Sequence, residues 1–93
     1  MDDRYRERYR LLGLKISLYR KLRGFTQEEF AEKIDLSVSF ISQIEANNGK
    51  RIRGISLNTL FRMAEALEIP VSFLIDDRSE PVYTDRYTEK LPH

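Results

Sequence analysis

The chain has 93 residues, 41% hydrophobic and 33% charged, with a formal net charge of +1 and no cysteine. That length supports one domain with a modest core, and the composition excludes a disordered chain. No apolar run approaches the roughly 20 residues of a membrane span, the start MDDRYRERYR lacks a signal-peptide core, and without cysteine there are no disulfides or thiolate metal sites, so a cytoplasmic location is expected.

Residues 1–10 read as a charged N-terminal extension. Residues 11–23, LLGLKISLYRKLR, repeat apolar residues at helical spacing through Leu12, Ile16 and Tyr19, and Gly24 stands where a left-handed cap closes a helix. Four more leucines (Leu11, Leu14, Leu18 and Leu22) cluster between about 160° and 240° from Ile16, nearly opposite that stripe. Left in water, they form a patch that marks an interface, either with a second protomer or with Val82, Tyr83, Tyr87 and Leu91 of the tail. A homodimer in which the tail takes part is the expectation. Next, Thr26 followed three residues later by Glu29 is a capping box, and Phe30, Ala31 and Ile34 give the short second helix its apolar face. It stops near Asp35, a residue type that tolerates the left-handed conformation.

The stretch DLSVSFISQIEANNGK is ambiguous at first, because Leu36, Val38 and Phe40 alternate as in a half-buried strand. Ser37 is a good N-cap, and a helix laid out from it at about 100° per residue gathers Phe40, Ile41 and Ile44 into one arc. Val38, Ser39, Ser42 and Gln43 form a second arc of small or polar side chains; a strand would leave no clean face. The segment 37–46 is therefore a helix with an exposed valine to explain.

Ser56 caps SLNTLFRMAEALEI, with Leu57, Leu60, Ala64 and Leu67 on one face, and a short VSFLI turn of helix follows Pro70. Between the third and fourth helices lies the basic, Gly-punctuated loop NNGKRIRGI. Residues 76–93 are polar with two prolines and read as a short C-terminal tail. The fold class is all-α, five helices over residues 11–75.

The small net charge hides a strong pattern. Residues 1–25 carry a net +5 and residues 49–62 a net +4, whereas residues 26–48 and 63–93 each carry −4. Two basic blocks flanking the third helix suit a polyanion, and by charge alone a solvated surface is the equal alternative. A short helix, a tight turn and a second helix with small polar residues at its start is the helix-turn-helix arrangement.

The stretch GFTQEEFAEKIDLSVSFISQIEANNGK, with the preceding Ile16 and Arg20 and the later LNTLFRMAEALEIPVSFLI, resembles the phage-repressor and Cro-like helix-turn-helix family, often called the XRE family. The resemblance covers roughly residues 11–75 and implies a sequence-specific regulator of transcription, a repressor by expectation, whose third helix lies in the major groove of double-stranded DNA. It implies base readout by Ser37, Val38, Ser39 and Gln43, with Ser42 beside them. It implies that Gln27 holds a phosphate and braces the third helix, and that Arg20 and Glu45 form a partly buried ion pair. Asp35 stands where the family's turn glycine is usual, Val38 replaces the common polar reader, and the loop after Glu45 is longer and more basic than average.

The chemistry of the arc agrees. Gln43 suits a bidentate pair with adenine, serines suit any base edge, and Val38 suits a thymine methyl. With no Arg or Lys on this helix, affinity is expected from backbone contacts by Gln27, Asn47, Lys50, Arg51 and Arg53, with Lys15 and Arg23 as further candidates. An enzyme reading fails, for want of a cysteine, an internal histidine or a Gly-rich phosphate loop; the lone His93 is terminal, and no metal or cofactor is expected. The rival reading is a protein-interaction module of the same fold, such as an antitoxin or an anti-repressor partner, supported by the acidic block of residues 26–48.

Overall fold

Helix α1 runs from Arg6 to Leu22 in the computed structural model, which describes residues 3–47 and 51–76. A 3-10 turn at Asp3–Tyr5 precedes it, and α2 (Gln27–Lys33), α3 (Val38–Glu45), α4 (Leu57–Leu67) and α5 (Ser72–Ile75) come after it. Among the described residues there is no strand, and no helix is long and apolar enough to cross a membrane. The all-α, five-helix expectation holds.

The helix starts follow local side-chain chemistry. Thr26 and Glu29 form the reciprocal capping box, Ser37 accepts from the Phe40 N–H, and Ser56 accepts from the Thr59 N–H. Helix α1 differs from expectation, beginning five residues before Leu11. Its N-terminus has no side-chain cap; an ion pair between Glu7 and Arg10, one turn apart at 2.5 Å, joins the side chains of its first turns.

The ends of α1, α2 and α4 share one device. After α1, Gly24 takes φ +81° while the Phe25 N–H reaches the Arg20 carbonyl and the Gly24 N–H reaches Lys21. Asp35 (φ 58°) does the same after α2, with Leu36 N–H to Ala31 and Asp35 N–H to Glu32. Glu68 (φ 58°) does it after α4, with Ile69 N–H to Ala64 and Glu68 N–H to Glu65. The turn between α2 and α3 is thus a capped helix end with an aspartate where glycine would be least strained.

The core gathers Ile16, Phe30, Ile41, Ile44, Met63 and Leu67, each fully out of solvent. Tyr19 joins it against Phe73, ring centroids 6.1 Å apart, and burial pushes its phenol pKa above the usual range. Two expectations about apolar faces fail. Leu18 is only 5% exposed, a core residue, because α1 packs against α3 on one side and α5 on another and so is covered over more of its circumference than a single stripe allows. Leu11 is half-buried, leaving Leu14 and Leu22 as the exposed members of the four. Leu57, placed on the buried face of α4 by its spacing, is instead 67% exposed; the buried face is Leu60, Met63, Ala64 and Leu67. Val82, Tyr83, Tyr87 and Leu91 lie outside the described residues.

Candidate nucleic-acid interface

The turn capped by Asp35 sets α3 against α2, and a second contact sets it against α1. A Cβ built on Gly13 would stand 2.2 Å from the Ile44 carbonyl oxygen, so only glycine lets the two backbones approach this closely. Isolated within a helical pattern, Gly13 carried a readable signal of close packing that its spacing alone did not decode.

An ion pair locks the same corner. The Arg20 Nε donates to Glu45 Oε2 at 2.7 Å and its Nη2 to Oε1 at 2.9 Å, while Nη1 reaches the Phe25 carbonyl at 2.7 Å. Gln27 Nε2 adds a third donor to the carboxylate, at 3.0 Å from Oε1. Both charged side chains are under a tenth exposed, so pairing and these hydrogen bonds offset their desolvation. The network joins α1, the first residue of α2 and the last residue of α3.

With Ile41 and Ile44 turned inward, α3 presents Val38, Ser39, Ser42 and Gln43 to solvent, and Val38 is 43% exposed. Gln43 Nε2 donates to Ser39 Oγ at 3.3 Å, across one turn of the arc. The Ser37 oxygen accepts its capping bond and keeps its own O–H to donate. No charge lies on this arc. The acid that α3 does contain, Glu45, is the one Arg20 and Gln27 occupy. The acidic block of residues 26–48 is therefore not the face that α3 offers.

Beside the arc, Gln43, Ala46, Arg51, Ile52 and Arg53 line one groove. Arg51 and Arg53 are exposed, and the Arg53 guanidinium stacks on the Phe40 ring, 4.9 Å from its centroid. The expected phosphate-binding set needs correction at three places. Asn47 is only 4% exposed: its Oδ1 accepts from the Arg53 N–H at 2.8 Å and its Nδ2 donates to the Arg53 carbonyl at 3.3 Å and the Tyr9 carbonyl at 3.4 Å. It fastens the basic loop to α3 and α1, and its amide is not turned to solvent. Lys15 is 1% exposed and donates to the Asp76 carbonyl. Arg23 donates to the carbonyls of Leu67 and Glu68, at 2.6 and 3.0 Å, where a cation suits the C-terminus of α4. Lys50 lies outside the described residues.

The helix-turn-helix family model matches residues 16–74 of the chain. The transcriptional regulator SinR of Bacillus subtilis (strain 168) is 32% identical over 84 residues, 87% of this chain and 73% of that protein. The solved SinR–SinI complex superposes with a TM-score of 0.67 at 28% identity, covering 84% of this chain and 73% of that one. The restriction-modification controller protein C.AhdI from Aeromonas hydrophila gives a TM-score of 0.64 at 26% identity, over 71% of this chain and 94% of that one.

Proposed function

Since the chain belongs to the helix-turn-helix family and is a DNA-binding transcriptional regulator, we propose that α3 enters the major groove and reads base edges with Ser37, Val38, Ser39, Ser42 and Gln43. The observation that carries this reading is the uncharged, solvent-facing arc of α3 beside the exposed arginines Arg51 and Arg53. Small side chains let the backbone come close to base edges, and Gln43 supplies a bidentate pair for adenine. Arg51 and Arg53, with Lys50, supply phosphate contacts and the counterion release that drives affinity. Gln27 and Arg20 act on α3 through Glu45, and Asn47 holds the loop.

Repression is the proposed sign of regulation, because occupying a promoter needs no further contact. A homodimer is proposed as well, matching a two-fold site with half-sites about one helical turn apart. Leu57 and Phe61, four residues apart on α4 and 67% and 53% exposed, support it better than the α1 leucines do. A protein partner is proposed by analogy with the SinR–SinI complex. The alternative, a protein-interaction module that has given up DNA, gains nothing from relatives that are transcriptional regulators.

One experiment tests the division of labour. Gln43→Ala is expected to cost about 1–3 kcal/mol on a site selected from random DNA and little on random duplex. Arg51→Ala is expected to weaken binding to every sequence and to lower the salt slope by about one unit. Equal losses for Gln43→Ala on both DNAs would remove it from base readout.

A further inference from the structure

Arg51 and Arg53 line the same groove beside the α3 arc, yet they are held differently. The Arg53 backbone is fixed at both of its polar groups, because Asn47 accepts from its N–H at 2.8 Å and donates to its carbonyl at 3.3 Å. Its guanidinium lies over the Phe40 ring, 4.9 Å from the centroid. Phe40, the third residue of α3, is half-buried and packs against the core, so the ring is itself a fixed plate. Arg51 is exposed as well, but among the described residues no ring, carboxylate or hydrogen bond engages its side chain.

The attraction between a guanidinium and a ring face consumes none of the cation's N–H groups. Among the described residues those of Arg53 donate no hydrogen bond and meet no carboxylate. Their planar fork has the shape that takes two oxygens of one phosphate. An arginine placed beforehand at backbone and side chain loses less freedom on meeting that phosphate than an unanchored one does. Phosphate contacts at fixed points set the register of a protein on the duplex, which a diffuse positive charge cannot do. We propose that Phe40 is a positioning residue for DNA recognition: it holds Arg53 as a preset fork for one backbone phosphate and so fixes where the α3 arc meets the bases, while Arg51 acts as unanchored counter-charge. Resting on the reading of this face as the DNA-facing surface, the assignment separates two arginines that charge alone makes equivalent.

Equilibrium binding of the full chain to a site selected from random DNA, repeated over a range of salt, tests this. Arg53→Lys keeps the charge and loses the fork, so affinity is expected to fall about tenfold with the salt slope unchanged. Arg51→Lys is expected to bind as the unsubstituted chain does. Phe40→Leu keeps an apolar group toward the core and removes the ring. It is expected to weaken binding about threefold, and to add nothing once Arg53 is replaced by alanine. Phe40→Tyr keeps the ring and is expected to match the unsubstituted chain. If Phe40→Leu weakens binding by the same factor with and without the Arg53 guanidinium, Phe40 serves packing alone and the proposal is overturned. Arg53 is exposed, so its lysine variant tests the fork even if Phe40→Leu does not fold. Equal effects of the two lysine variants overturn the proposal while leaving the DNA-facing surface intact. If Arg51→Ala and Arg53→Ala, singly and together, bind every duplex as the unsubstituted chain does, this surface does not meet DNA, and the proposal falls with the reading beneath it.

Discussion

Helices α1 and α3 meet at Gly13, yet they use their surfaces in opposite ways. In α3, eight residues divide cleanly into an inward face of Ile41 and Ile44 and an outward arc of Val38, Ser39, Ser42 and Gln43. In α1, seventeen residues bury Ile16, Leu18 and Tyr19 and also the two cations Lys15 and Arg20. The difference comes from neighbours. Helix α3 packs on one side and turns the other to solvent, the face proposed here to meet DNA, whereas α1 is flanked by α3 and by α5. A side chain on α1 is accordingly expected to matter for stability and, on the proposed reading, one on the arc of α3 for affinity.

The largest test of that contrast is Leu18→Glu. It places a carboxylate at a 5% exposed core position, with an expected loss of about 4 kcal/mol or more, enough to unfold most of the protein. Thermal denaturation followed by circular dichroism measures it, and a wild-type midpoint would return Leu18 to the surface. Next comes Gly13→Ala, whose added methyl must push the Ile44 carbonyl away from a 2.2 Å approach. The expected net loss is about 1–2 kcal/mol, since overpacking outweighs the better helix propensity of alanine. Urea denaturation measures it, and a stabilised variant would mean that α1 and α3 separate at no cost. The smallest effect belongs to the arc. Ser42→Ala is expected to change stability by no more than about 0.5 kcal/mol, in the stabilising direction. Its affinity for a selected DNA site should fall all the same. A clear loss of stability would show that the arc is not reserved for a ligand.

The same contrast explains what the sequence disclosed. The start of α2, the start of α3 and the serine arc were legible because each depends on residues three or four apart: Thr26 with Glu29, Ser37 with Phe40, Ser39 with Gln43. The pairing of Arg20 with Glu45 came from resemblance, since 25 residues separate the partners. The rest depends on which elements become neighbours. Leu18 looked like an outer residue because a helical projection assumes one packed side, and α1 has two. Lys15, Arg23 and Asn47 looked like phosphate ligands because charge and polarity are visible in sequence, while the carbonyl groups of Asp76, Leu67, Glu68, Tyr9 and Arg53 that engage them are not. Leu57 has the right spacing for the buried face of α4 but lies at its first position, beyond the edge of the core. The start of α1 was missed because its arginines supply no apolar period and Tyr5 supplies no cap.

The pairing of Asn47 with Arg53 also bears on how such a protein can diversify. One side-chain amide closes the base of the basic loop through two hydrogen bonds to a single residue's backbone. The two ends of that loop, Asn47 and Arg53, are thereby held together at a fixed point. Lengthening a closed loop is cheap, about 0.6 kcal/mol for each doubling. On the proposed reading, insertions and charge changes between Asn47 and Arg53 are expected to alter grip on the phosphate backbone while the outward arc of α3 keeps its orientation. Affinity and salt tolerance would then be adjustable through this one loop, separately from the target preference proposed for α3.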